Sequence, residues 1–171
     1  KVWITNGFNC GVVLVACKTD PSAGAKGVSL IAVEEGTPGF TRSQPMDKIG
    51  LKAQDTSELF FDNVRVPLSN LVGEESRGFV YLMQQLPQER LVIALRSCAT
   101  LETQLEKTIA YTTERKVFGN PIIGFQNSKF KLAEAKAYIA MLRAFVDQCA
   151  LEHMNGGISS EKAAMAKLVG T

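Results

Sequence analysis

Between Gly73 and Gly78 the apolar residues of this chain change period, and that switch limits the possible folds more than any other feature. A period of two buries one face of a pleated strand, whereas a period of 3.6 buries one stripe of a helix. Before the switch, short β-branched and aromatic runs at residues 2–5, 12–17, 28–33 and 59–66 read as strands. Asp20-Pro21-Ser22-Ala23-Gly24 and Gly36-Thr37-Pro38-Gly39 mark the turns between them. Those connections are too short to hold helices, so the spacing predicts an antiparallel barrel or sandwich and disfavours a doubly wound parallel sheet.

After the switch the spacing is helical. Residues 79–86 read as a short helix, and Pro87 is expected at the first position of a new one running to 115, where a missing N–H is tolerated. Leu91, Leu95, Cys98, Leu101, Leu105 and Ile109 form its apolar stripe. Gly119-Asn120-Pro121 ends that segment. A second long helix is predicted over 126–154, with one stripe at Leu132, Ala135, Ile139, Leu142, Val146 and Cys149. Phe130, Ala133, Ala137 and Ala144 make a second apolar edge, so this helix is expected to be buried on two sides. Asn155-Gly156-Gly157 breaks it, and Ser159 or Ser160 caps a third helix. The fold class is therefore α+β: residues 1–75 form a β domain and residues 76–171 part of a long-helix bundle. Faces apolar on two sides call for further helices or other subunits, and oligomerisation is the economical expectation.

Composition removes several function classes. A net charge of +2 without a block of like charges gives no footprint for nucleic acid or an anionic membrane. The longest apolar runs, 12–17 and 91–95, fall far short of the ~20 residues that span a bilayer. Cys10, Cys17, Cys98 and Cys149 include no CxxC pair, and the single histidine is His153, so neither a metal site nor a disulfide framework is expected. A nucleophile activated by histidine would have to use His153, near a helix end. No glycine-rich phosphate fingerprint occurs. The chain opens at Lys1 inside a strand pattern and reads as an excised piece, with nothing that marks secretion.

A few residues invite chemistry. Glu89, third in the helix expected from Pro87, has two readings: an acid stabilised by a first helical turn, or a base for a weakly acidic proton. Trp3 and Thr5, two apart on one strand, would share a face, as a core tryptophan beside a hydroxyl or as a flat ligand platform with a hydrogen-bond donor. Arg115, Phe118 and Gln126 surround the Gly119-Asn120-Pro121 turn, as a solvated helix end or as a grip on a diphosphate. Cys98 and Cys149 lie on buried stripes and read as small core residues.

Three segments in this order resemble the acyl-CoA dehydrogenase family. They are Lys1-Val2-Trp3-Ile4-Thr5-Asn6, then Asn63-Val64-Arg65-Val66-Pro67 leading into Gly73 through Phe79, then Glu114-Arg115-Lys116-Val117-Phe118-Gly119 followed by Phe125-Gln126. The resemblance implies a partial middle β domain and a partial carboxy-terminal helical domain. It also implies FAD as cofactor, with Trp3 stacking near the flavin ring and Thr5 hydrogen-bonding its reactive edge. Arg115, Phe118 and Gln126 match a turn that in the family contacts the diphosphate and adenine side of FAD held by a neighbouring subunit. Residues 78–91 are similar to the long-chain branch, which makes Glu89 the catalytic base and places Arg90 near the acyl-CoA.

The implied reaction is α,β-dehydrogenation of a fatty acyl-CoA in a homotetramer or homodimer that passes electrons to an electron-transferring flavoprotein. The implied location is the cytoplasm of a bacterium or the mitochondrial matrix of a eukaryote. Rival readings are a same-fold acyl-CoA oxidase or flavin monooxygenase, and a non-catalytic oligomerisation or binding module.

Overall fold

Short β-branched runs pair as antiparallel ladders in the upstream half. In the computed structural model, which describes residues 1–171, the strands are β1 (Ile4–Thr5), β2 (Val12–Lys18), β3 (Val28–Glu34), β4 (Phe40–Arg42), β5 (Thr56–Ser57) and β6 (Leu59–Phe61). β2 pairs with β3 from Val12 opposite Glu34 to Lys18 opposite Val28, β1 pairs with β5, and β4 pairs with β6. Each ladder is two-stranded, so the antiparallel β class stands but no barrel closes. Strands of two or three residues offer too few ladder bonds to extend a sheet across its neighbours.

The link from β2 to β3 is a 3₁₀ segment, Pro21–Gly27, whose start is capped by the Asp20 carboxylate accepting from the Ser22 N–H at 2.9 Å. A Cβ on Gly27 would lie 1.9 Å from the Asp20 carbonyl oxygen, so only glycine closes this turn. Val15, Val33, Phe40 and Leu59 form the β core, with the Phe40 and Phe61 rings stacked at 4.9 Å. The strand expected over 59–66 stops at Phe61 because Asn63 turns the chain at φ +49°, although Val64 and Val66 still pack on the core.

The chain divides into two compact units, Lys1–Leu82 and Met83–Thr171. Helix α1 (Gly78–Glu114) begins in the first and continues through the second. It does not restart at Pro87 as the sequence suggests: Pro87 lies inside one continuous helix. Its ring removes only the donor to the Met83 carbonyl, and Met83 is exposed, where water can take that bond. The remainder is β7 (Lys116–Val117), β8 (Asn120–Pro121), α2 (Gln126–Met154) and α3 (Ser160–Gly170). Ser159 caps α3, its hydroxyl accepting from the Lys162 N–H at 3.2 Å.

The helical core joins Leu91, Ala94 and Cys98 of α1 to Leu142, Val146 and Cys149 of α2, with Ile158 and with Ala163 and Ala166 of α3. Alanine and cysteine make up five of these nine positions, and α3 comes close to α1 at Gly170. A Cβ on Gly170 would sit 3.4 Å from the Ala94 Cα. Arg143 of α2 clamps Glu102 of α1 through two bonds, Nε to Oε1 at 2.9 Å and a second from Nη2 to Oε2 at 2.5 Å. Lys162 of α3 pairs with Glu152 of α2.

The stripe predicted for α2 is buried at Ile139, Leu142, Val146 and Cys149. Its second edge is not: Phe130 is 64% exposed, and Ala133, Ala137 and Ala144 face outward with it. Burial on two sides is therefore not realised within the chain, because α1 and α3 cover only one face. No helix is long and apolar enough to cross a membrane.

Candidate functional site

In the β unit, Lys1 exchanges both backbone bonds with Leu59, and Ile4 pairs with Ser57. Val2 and Trp3 thus stand opposite the single residue Glu58, which is the spacing of a β-bulge. Trp3 takes the left-handed backbone conformation at φ +59° and is 72% exposed. This corrects the expectation of a strand from residue 2 and of a face shared by Trp3 and Thr5, since side chains alternate only along extended backbone. Trp3 is not a core residue. Thr5 lies in β1, exposed, opposite Thr56.

In the helical unit, Glu89 stands two residues past Pro87 and more than two turns inside α1. It is not in a first turn, so no run of unbonded N–H groups accounts for an acid there. Glu89 is exposed and makes no ion pair. Its neighbours one turn away include Leu86, half-buried, and Val92 and Ile93, both exposed. A carboxylate thus sits within an apolar surface strip. Arg90 is half-buried beside it in sequence and likewise pairs with no carboxylate.

Arg115 directly follows α1. Its carbonyl accepts from the Ile122 N–H at 2.9 Å, which draws together the two ends of the β7–β8 hairpin. The tip of that hairpin is Phe118-Gly119 at φ +53° and +79°, the signs of a type I′ turn. Such turns favour Asn-Gly; a phenylalanine in the first position is an outlier, and Phe118 is 91% exposed. Gln126 opens α2, whose first turn has no side-chain cap. The hairpin therefore gathers an exposed guanidinium, an exposed ring and a helix start with available N–H groups, although no glycine fingerprint is present.

Taken unit by unit, the chemistry suits parts of a flavin dinucleotide: in the β unit Trp3 offers a ring face and Thr5 a hydroxyl, and in the helical unit the hairpin offers cationic and N–H donors suited to a diphosphate. The Cys98 and Cys149 thiols are pushed up by burial and stay protonated in the core, away from nucleophilic chemistry. Two surface cavities contain none of the predicted site residues. One, of about 510 Å³, is lined by Phe8, Glu35, Phe40 and Arg42, and the other, of about 440 Å³, by Glu102, Ile109, Lys136 and Arg143. In each an arginine already pairs with a glutamate, Arg42 with Glu35 and Arg143 with Glu102, while Lys136 in the second forms no ion pair. No cluster of His, Cys, Asp and Glu suited to a metal ion is present.

Sequence reasoning did not single out Asp55. It lies outside every periodic segment, and nothing local distinguishes it from a loop acid.

Residues 1–64 match the family described as acyl-CoA dehydrogenase, middle domain, and residues 76–171 match acyl-CoA dehydrogenase, C-terminal domain. A long-chain specific acyl-CoA dehydrogenase of Sus scrofa mitochondria is 48% identical over 169 residues, a stretch that is 98% of this chain and 39% of that protein. Among solved structures, an acyl-CoA dehydrogenase from Geobacillus kaustophilus is 46% identical with a TM-score of 0.94, the match covering 98% of this chain and 44% of the other. A prolyl acyl carrier protein oxidase is 30% identical with a TM-score of 0.93, over 99% of this chain and 45% of that one.

Proposed function

The chain belongs to the acyl-CoA dehydrogenase family, and from that membership we propose that it serves FAD-dependent α,β-dehydrogenation of a fatty acyl-CoA thioester. Glu89 is the base. The observation that carries this role is its position: an unpaired carboxylate inside a helix, flanked by Leu86, Val92 and Ile93, with no structural task. An acyl chain lying along that strip would supply the shielding from water that a carboxylate needs to act as a base.

The α C–H of a thioester is a weak acid, so the Glu89 carboxylate takes the proton as charge develops on the thioester oxygen. In the β unit Trp3 would support one face of a flavin ring, and the Thr5 hydroxyl would hydrogen-bond its edge. In the helical unit Arg115, Phe118 and Gln126 would contact the diphosphate and adenine side of FAD held mainly by a neighbouring subunit, and Arg90 would contact the acyl-CoA. FAD, when bound, would supply the two-electron acceptor for the hydride lost from the β carbon. The chain's own tasks are alignment, proton removal and exclusion of water.

The exposed edge of α2 supports a homotetramer or homodimer, and electrons leave to an electron-transferring flavoprotein. The mitochondrial naming of the pig relative supports the matrix if the source is eukaryotic.

The test is rapid mixing of the full-length Glu89→Gln variant with fatty acyl-CoA. FAD content is expected to be unchanged and flavin reduction slowed about 10²- to 10⁴-fold, the usual worth of a general base. Reduction at the wild-type rate removes Glu89 from the reaction. A second reading, an oxidase, is favoured by the likeness to the prolyl carrier-protein oxidase. Stoichiometric peroxide on aerobic turnover distinguishes it.

A further inference from the structure

The ladder that carries Thr5 has only two residue pairs, Ile4 with Ser57 and Thr5 with Thr56. Two pairs cannot by themselves hold a strand end to the tolerance a hydrogen bond requires. The turn that follows receives one bond from β4, the Arg42 guanidinium donating to the Phe8 carbonyl, and on the β5 side it is fastened from a single residue. Asp55 accepts three bonds from it: its carbonyl takes the Asn6 N–H at 3.0 Å, Oδ2 the Phe8 N–H at 2.8 Å and Oδ1 the Asn9 side-chain amide at 2.9 Å. Two of these end on a carboxylate, the stronger class of hydrogen bond.

Asn6 sits at φ +60°, a left-handed conformation that asparagine tolerates and that turns the chain directly after Thr5. Between the clamped residues Gly7 is buried, and a Cβ there would lie 2.5 Å from the Ser57 hydroxyl, so the turn rests directly on β5. The Ser57 hydroxyl is buried with no partner. Contact rather than hydrogen bonding therefore holds the Gly7 side, and the bonds that hold this turn to the β5 side are Asp55's.

We propose that Asp55 is the positioning residue for the flavin-facing edge of the β unit, setting Thr5 by locking the turn from Asn6 to Asn9. This rests on the reading that Thr5 meets the flavin. Asp55 itself touches neither cofactor nor substrate.

The experiment uses full-length protein and measures FAD dissociation, the visible flavin spectrum and far-UV circular dichroism. In Asp55→Ala the FAD dissociation constant is expected to rise about tenfold or more, the scale of one charge-assisted hydrogen bond, with loss of the resolved flavin shoulder and an unchanged far-UV spectrum.

Asp55→Asn keeps the bond from the Phe8 N–H but, even with the exposed Asn9 amide turned over to accept, replaces a charge-assisted bond at Asn9 by a neutral one. Adding Asn9→Asp reverses donor and acceptor there, so the double variant is expected to recover FAD affinity and spectrum to near wild type. A bulk structural effect of losing the acid gives no such rescue. Should Asp55→Ala not fold, the swapped pair decides alone.

Wild-type affinity and spectrum in Asp55→Ala overturn the proposal, as does a double variant no better than Asp55→Asn. Thr5→Ala separates the two readings. If it weakens FAD while Asp55→Ala does not, only the positioning role falls; if Thr5→Ala has no effect on the flavin, the underlying assignment falls with it.

Discussion

Trp3 and Phe118 are large aromatics that break the local rules twice, each exposed and each in the left-handed backbone region. An L-residue there costs roughly 1–2 kcal/mol, and an exposed ring adds no burial in return within the chain. Asparagine tolerates that conformation and makes the favoured Asn-Gly turn. Phe118→Asn is therefore expected to leave the melting temperature of the FAD-free protein equal or higher while weakening FAD retention. Differential scanning fluorimetry with and without added FAD reads both, and a destabilised apoprotein would show that the ring serves the fold instead.

The next scale is the element, and α1 shows where local rules yield. Pro87 reads as a helix start because a proline inside a helix costs ~3 kcal/mol, yet the helix runs through it. Packing of Leu91, Ala94 and Cys98 against the other helices outweighs that penalty. Pro87→Ala is expected to stabilise the protein by about 2 kcal/mol once the loss of proline's unfolded-state restriction is subtracted. A lowered melting temperature in that variant would show instead that the ring is needed for packing.

The Glu102–Arg143 clamp makes a pH prediction. Arg143 holds the Glu102 carboxyl below its ordinary value of 4.5 through their hydrogen bonds. A depressed acid contributes stability above its unfolded pKa and loses it as pH falls through the folded one. Glu102→Gln is thus expected to melt below wild type at pH 7, with the gap closing as pH drops below 4.5. A gap independent of pH would place the effect in packing.

The same elements show what the sequence could and could not convey. The bounds of α2 follow from periodicity, because many residues repeat one choice, and the β-branched runs at 12–17 and 28–33 each stop one residue short of the strand they mark. β4, β5 and the β7–β8 hairpin are two or three residues each and carry no period. The bulge at Trp3 depends on the pairing of Lys1 with Leu59, 58 residues apart, so no local pattern encodes it. Trp3, Thr5 and the hairpin residues stand out by type, whereas the bulge at Trp3 and the turn type at Phe118 carry no local signature.

At the scale of the whole molecule, the helical unit leaves one side of α2 uncovered, with Phe130 and Met141 64% and 66% exposed. Exposed apolar edges of this kind mark contact with another surface. Phe130→Asp with Met141→Lys is expected to shift the full-length protein to a smaller assembly in sedimentation velocity. An unchanged sedimentation coefficient would assign that edge to contacts within one chain.

The proposed FAD-dependent oxidation of acyl-CoA thioesters is tested most directly by the visible spectrum of the full-length protein before and after anaerobic addition of a fatty acyl-CoA. A yellow protein whose flavin bands bleach on addition is the predicted result. A colourless protein, or flavin bands that persist under excess substrate, would contradict it.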